Sequence, residues 1–186
     1  MRKIRKYKVN IRPSVVGRLL TKIFSVSADY QNLESEIQSD SDLINKKVIP
    51  ATVYETYFVP DLPAPLSDIP REKNVFGFTL SATTLGEVEK DLLSGLEMTD
   101  IHYQIRHCIL LEFLEQAANF VARLIPEELK EDVTLLKNER IDDPDRRIQL
   151  SKLLALDKIN LKVVDGKFSA AYSTLNLFSW QVQKRR

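Results

Sequence analysis

With 186 residues, of which 44% are hydrophobic and 28% charged, the chain has the composition of a soluble globular protein rather than a disordered or fibrous one. Its 27 basic and 26 acidic side chains leave a net charge of +1, which excludes the broad basic footprint of a nucleic-acid-binding protein. The one cysteine, Cys108, excludes an intramolecular disulfide, and a chain of this length buries about two-thirds of its unfolded surface, enough for a core without one.

The first residues include Arg2, Lys3, Arg5, Lys6 and Lys8, without the long apolar run that a secretory signal places after its charged start. No span is apolar enough to cross a bilayer, so the cytoplasm is the expected compartment. These lysines and arginines read as a solvated tail or the outer face of an edge strand. Alternation of Tyr7, Val9 and Ile11 predicts a short strand from Lys6 to Ile11. A helix follows, with Pro13 at its first position and Val15, Val16, Leu19, Leu20 and Ile23 along one stripe. Tyr30, Leu33, Ile37 and Ile44 predict a second, more polar helix from Ala28 to Asn45.

The β-branched and aromatic run from Thr52 to Val59, bounded by Pro50 and Pro60, predicts a strand. Asp61 to Arg71 carries Pro63, Pro65 and Pro70 and reads as a connection. Val75 to Ser81 predicts another strand, with Phe76, Phe78 and Leu80 on one face. Thr84 and Glu87 have the spacing of a capping box, which predicts a helix from near Leu85 to Gly95. Thr99 or Asp100 would cap a longer helix ending at Ile125, before Pro126. Leu110, Leu111, Leu114, Ala117, Ala118, Val121 and Leu124 form a wide apolar stripe on it, so it is the expected core element. Beyond it come a strand from Val133 to Leu136, a short helix within Ile148 to Leu156, and a hairpin from Asn160 to Phe168 turning at Asp165-Gly166. No repeat or break in composition divides the chain, so one domain is expected over residues 1–186.

Motifs that carry chemistry by themselves are scarce. Asp100-Ile101-His102 has the start of a cobalamin-ligating Asp-x-His-x-x-Gly pattern, but Ile105 stands where the glycine belongs, and Asp100 reads better as a helix cap. His102 and His107 are five apart, a spacing that turns them away from each other on a helix. Cys108 follows an apolar helical pattern and reads as a small buried hydrophobe. Asp142, Asp143 and Asp145 around Pro144 lack the glycine and distal glutamate of a calcium loop and read as a turn with an N-cap. With five glycines and no nucleophile elbow or phosphate loop, self-sufficient catalysis has little support.

The order of segments from about Val9 to Leu177 resembles the activation domain of cobalamin-dependent methionine synthase. The resemblance is carried by Val48-Ile49-Pro50-Ala51-Thr52-Val53-Tyr54, by Phe78-Thr79-Leu80 through Leu85-Gly86-Glu87-Val88-Glu89, and by the apolar helix with Glu112 and Glu115. It implies an α+β fold, a twisted antiparallel sheet with helices packed on it. It also implies an S-adenosylmethionine site serving the reductive reactivation of a corrinoid. In the family, that site uses a helix glutamate, an arginine followed by Pro-Gly-Tyr, and a later Pro-x-x-Ser. Glu115, Arg140 and Ser173 match the glutamate, the arginine and the serine, whereas Ile141-Asp142-Asp143-Pro144-Asp145 lacks the Gly-Tyr pair and the later proline is absent. The implied protein is a stand-alone accessory whose cobalamin belongs to a partner, a corrinoid protein or cobalamin-dependent methyltransferase. The alternative is a non-catalytic interaction domain that kept the fold and lost the cofactor site.

Overall fold

Among the described residues seven strands are formed: β1 (Arg2–Arg5), β2 (Ala51–Phe58), β3 (Val75–Thr84), β4 (Val133–Arg140), β5 (Val163–Val164), β6 (Lys167–Phe168) and β7 (Ser173–Val182). In the computed structural model, which describes residues 1–26, 30–70, 74–129 and 132–182, β5 and β6 form a separate hairpin and the rest make one antiparallel sheet ordered β1-β2-β3-β7-β4. Five helices accompany them: α1 (Pro13–Phe24), α2 (Tyr30–Lys47), α3 (Val88–Leu92), α4 (Ile101–Leu129) and α5 (Pro144–Ser151). The chain is therefore an α+β protein, as expected.

The two faces of the sheet differ in chemistry. One face carries Ala51, Val53, Phe78, Leu80, Ala82, Leu175 and Leu177, sealed by Leu66, Leu150, Leu154, Leu156 and Ile159 from the connections and α5. The other carries Thr52 and Tyr54, Thr79, Ser81 and Thr83, then Thr174, Asn176, Phe178 and Trp180, all buried. Helix α4 lies on this polar face, meeting it through Val121 and Ile125. Its N-terminal half is enclosed by α1 and α2, where Ile105, Ile109 and Phe113 meet Val16, Leu20, Ile37 and Ile44. The expected stripe is thus the core element, with Leu110, Leu114, Ala117, Ala118 and Val121 buried.

Several boundaries depart from expectation for identifiable reasons. Extended pairing falls at Arg2–Arg5 instead of Lys6 to Ile11, because Lys6 takes a left-handed φ of 59° and ends the run. Tyr7 then turns inward, stacks 4.7 Å from Phe120 and bonds Thr52 at 2.7 Å. A bulge between Val75 and Gly77 puts Phe76 with Trp180 and Phe178, away from Phe78 and Leu80. No capping box forms. Thr84 stays in β3 and its Oγ1 accepts from Gly86 N at 3.0 Å, which delays α3 to Val88, and α3 ends at Leu92 instead of Gly95. Helix α4 runs through Pro126 to Leu129, and Glu128 in that added turn accepts from Tyr54 Oη at 2.6 Å and pairs with Arg2. Strand β4 continues to Arg140. Helix α5 starts at Pro144, with Asp143 Oδ1 accepting from Arg146 N at 2.7 Å, and stops at Ser151; a 3-10 turn then covers Leu156–Ile159. The start of the second helix expected at Ala28 lies outside the described residues, and α2 is described from Tyr30.

Strand β7 had no counterpart in the sequence reading. It lies between β3 and β4 and pairs along most of its length with both. By contrast the Asp165-Gly166 hairpin forms as expected, with φ of 48° and 73° at its two central residues.

His107 illustrates how burial tunes a titratable group outside the sheet. Tyr172, buried and with its phenol pushed upward by desolvation and by neighbouring Tyr103, Glu89 and Cys108, shares a hydrogen bond of 2.6 Å with His107 Nδ1. Burial lowers the His107 pKa below its ordinary 6.5, against a smaller raising effect of Glu89. The unfolded chain therefore binds this proton more readily than the folded one. The associated stability is complete above about pH 6.5 and falls as pH drops towards the lower folded value. Thermal melting from pH 7.5 to 5 should show a declining Tm below about pH 6.5, and His107→Gln should flatten that decline. An unchanged slope in the variant would assign the pH dependence to other groups.

Candidate functional site

Glu115 projects from α4 and Arg140 is the last residue of β4, set opposite Asn176 of β7 by the strand register. Although 25 positions apart in sequence, both line one cavity of about 270 Å³. Arg12, Glu112 and Thr174 complete its polar wall, and Val15, Leu19, Leu111 and Leu114 its apolar wall. The floor is supplied by α1 and α4, and Pro13 at the first turn of α1 brings Arg12 to the rim.

Glu112 is almost fully buried, and Arg12 grips it with two bonds, Nε to Oε1 at 2.7 Å and Nη2 to Oε2 at 3.2 Å. Gln116 Nε2 adds a third at 3.1 Å. A buried carboxylate is tolerated only when paired in this way, so Arg12 is a structural partner of Glu112 before it is a ligand contact. Arg140 is different. Its Nε donates to Asp142 Oδ1 at 2.8 Å, with both side chains more than half exposed, a pair worth less than about 1 kcal/mol. Glu115 is likewise exposed.

A directional chain of hydrogen bonds runs from the sheet to Glu115. Thr174 Oγ1 donates to Asn176 Oδ1 at 3.0 Å, Asn176 Nδ2 to Asn138 Oδ1 at 3.0 Å, Asn138 Nδ2 to Asn119 Oδ1 at 2.8 Å, and Asn119 Nδ2 to Glu115 Oε1 at 2.8 Å. It joins β7, β4 and α4 and ends on a carboxylate, the one group in the chain that can only accept. Glu115 is therefore oriented by the sheet as well as by its own helix.

Ser173 does not share this cavity. Alternation along β7 places it with Leu175 and Leu177, on the opposite face from Thr174 and Asn176. It is buried, and its Oγ donates to Thr84 Oγ1 at 2.8 Å. It lines a second cavity of about 290 Å³ with Arg147, Lys167 and Phe168, and Arg140 and Thr174 line both cavities. Arg147 fixes the wall of the second one. It donates to the carbonyls of Ile141, Asp142 and Gly166, and its guanidinium lies 5.0 Å from the Phe168 ring centre. A Cβ at Gly166 would come within 2.4 Å of Pro144 Cβ, so the hairpin packs on α5 only with glycine there.

The remaining sequence candidates are structural. Asp100 Oδ1 caps α4 at 2.7 Å from His102 N. His102 faces Asp40 while His107 faces Tyr172, so the histidines are apart. Cys108 is fully buried, which pushes its thiol up to about 12 and leaves no reactive thiolate. Among the described residues no three His, Cys, Asp or Glu side chains cluster as metal ligands, and no helix is long and apolar enough to cross a membrane. No family model matches the chain, and no curated protein matches it.

Sequence reasoning missed Arg12, Thr174 and the three asparagines. A signal was present at Thr174 and Asn176, polar residues that alternate with Leu175 and Leu177 in a run of strand formers. The hydrogen-bond chain can be checked by the order of its energetic effects. Asn176→Ala, at the buried end, should cost about 1–3 kcal/mol by urea unfolding, because it strands the Thr174 hydroxyl. Asn119→Ala, near the wet end, should cost about 0.5–1 kcal/mol. The reverse order would mean that the chain is not held from the sheet.

Proposed function

We propose that this protein is a divergent, stand-alone relative of the methionine synthase activation domain that binds S-adenosylmethionine and supports reductive reactivation of a separate cytoplasmic corrinoid protein or methyltransferase. The observation that carries the reading is the shared cavity of Glu115 and Arg140, the two residues matched to the family's helix glutamate and arginine. Their surroundings suit an amphipathic zwitterion. Arg140 would pair with a carboxylate, Glu115 would accept from an ammonium or hydroxyl group, and Val15, Leu19, Leu111 and Leu114 would face an apolar portion. Each cavity falls just under the usual range of about 300–1,000 Å³ for small-ligand sites. Ser173 would act on the second cavity's wall through its bond to Thr84.

S-adenosylmethionine, when bound, would supply an electrophilic methyl group; this chain's residues bind and orient it, and the cobalt chemistry belongs to the partner's cobalamin. A second reading, a protein-interaction domain without cofactor, is favoured by one contact. Asp142 occupies Arg140 where the family carries Gly-Tyr, so the arginine has an internal partner.

Calorimetric titration with S-adenosylmethionine separates the two. Under the first reading the wild-type protein binds, and Arg140→Ala and Glu115→Gln each weaken binding by about 10- to 100-fold while leaving the melting temperature within a few degrees. Absence of heat at millimolar ligand in the folded protein would reject the first reading in favour of the second.

A further inference from the structure

We propose a second ligand site, separate from the Glu115–Arg140 groove, that takes an organic anion with an apolar body. It is a cavity of about 550 Å³ between the segment after β1 and the C-terminal end of α2. Lys6, Lys8 and Lys46 stand on its rim, all exposed, and no carboxylate lines it. Among the described residues none of the three lysines has an ion-pair partner. The walls beneath them are mostly apolar, with Val9, Ile49 and Phe113 beside Asn45, and Ile49 is 54% exposed. In a chain whose net charge is +1, three uncompensated cations around one apolar hollow concentrate positive potential there.

The backbone is shaped for the same place. Lys6 adopts a left-handed φ of 59°, a conformation disfavoured for any residue with a Cβ, and its N–H donates to Pro50 O at 3.3 Å. That bond continues the β1–β2 pairing, in which Arg5 faces Ala51, and sets Lys6 at the edge of the hollow. Lys46 also lies in the last turn of α2, where a cation offsets the carbonyl ends of the helix. Lys6 and Lys8 lie outside any helix, so that account does not extend to them. A phosphate or carboxylate head would sit among the three ammonium groups while its hydrocarbon part covers Val9, Ile49 and Phe113. Phe113 leaves α4 on a different side from Glu112 and Glu115, so the site stands whether or not the groove binds S-adenosylmethionine.

The test is an amide-shift titration of the isotopically labelled full chain with dodecyl phosphate below its micelle-forming concentration, with dodecyl maltoside as the neutral comparison. Saturable shifts confined to residues 6–9, 45–49 and 113, at least about tenfold weaker in Lys6→Glu/Lys8→Glu and weakened by salt, support the site. A Lys6→Gln/Lys8→Gln chain serves if the charge-reversed one loses its dispersed spectrum. Flotation with phosphatidylserine vesicles identifies the source. Wild-type flotation lost in the double variant supports the site with a lipid headgroup as anion; retained dodecyl phosphate binding without flotation supports it with a free amphiphile. Shifts scattered over the surface, equal affinity for dodecyl maltoside, or no binding overturn it.

Discussion

The structure depends on the satisfaction of hydroxyl and amide groups buried on the sheet face beneath α4. Thr52 and Thr83 share a hydrogen bond at 2.8 Å, Thr56 and Thr79 another at 2.8 Å, and Trp180 Nε1 donates to Thr79 Oγ1 at 2.9 Å. These pairs coincide with the register, in which Thr52 faces Thr83, Thr56 faces Thr79 and Thr83 faces Thr174. Only Ser81 Oγ on this face is buried without a partner among the described residues. Sliding one strand by a single residue would turn its hydroxyls into the Phe78, Leu80 and Leu177 layer and its leucines under α4. Each stranded hydroxyl would cost about 1–3 kcal/mol, so several together exceed the stability of an ordinary domain's weaker alternatives. Polar pairing thus fixes the register, and the register places Arg140 beside Asn176 and the cavity.

The same face sets the position of α4. Tyr7, whose phenol burial pushes up to about 12 against the lowering effect of Thr52 and Thr83, is a secure donor; its hydroxyl joins Thr52 to the Ala117 carbonyl. At the other end Glu128 receives Tyr54 and Arg2. Between them the Arg12–Glu112 pair ties α1 to α4. Because Glu112 is buried and Arg12 half exposed, removing Arg12 would cost more through the abandoned carboxylate than the pair contributes when intact. The side of α4 that bears Glu115 is therefore determined by contacts at both ends and in the middle of the helix.

Much of this was legible where one physical signal dominated. The apolar stripe of α4, Pro13 at the start of α1, an aspartate cap within the Asp142–Asp145 turn and the Asp165-Gly166 turn each follow from a local rule, and all are present, the cap falling on Asp143. The failures share a cause, a tertiary partner that outweighs the local rule. Thr84 has cap spacing, yet Ser173 and Gly86 claim its oxygen. Pro126 should end a helix, yet Ile125 is buried and Glu128 anchored beyond it. Strand β7 is buried on both faces, so its sequence alternates leucine with small polar residues and never shows an exposed polar side. At the site, Arg140 and Glu115 were legible only through resemblance, and of the asparagine chain only Asn176 left a sequence signal, its alternation with Leu175 and Leu177. Its members come from three elements, and only the sheet order brings them together.

The two proposed readings of the groove differ in the weight given to the Asp142–Asp145 segment, which stands where the resembled family carries Gly-Tyr. The internal bond from Arg140 to Asp142 is exposed, and surface pairs of that kind contribute less than about 1 kcal/mol. A ligand carboxylate competing for Arg140 would therefore lose at most about fivefold in affinity to Asp142. That is too little to abolish a site built on a fixed Glu115 and an apolar floor. The heavier loss is geometric. Glycine would let the backbone approach a ligand, and Asp143 instead commits the following residues to the cap of α5, with Pro144 locked at its first position and Gly166 packed on it. The backbone after Arg140 is thus held by helix and hairpin and is not free to close over a ligand. Under the proposed reading, recognition would fall to side-chain chemistry on α4 and β4, with affinity resting on Glu115 and Arg140 and not on a backbone cradle.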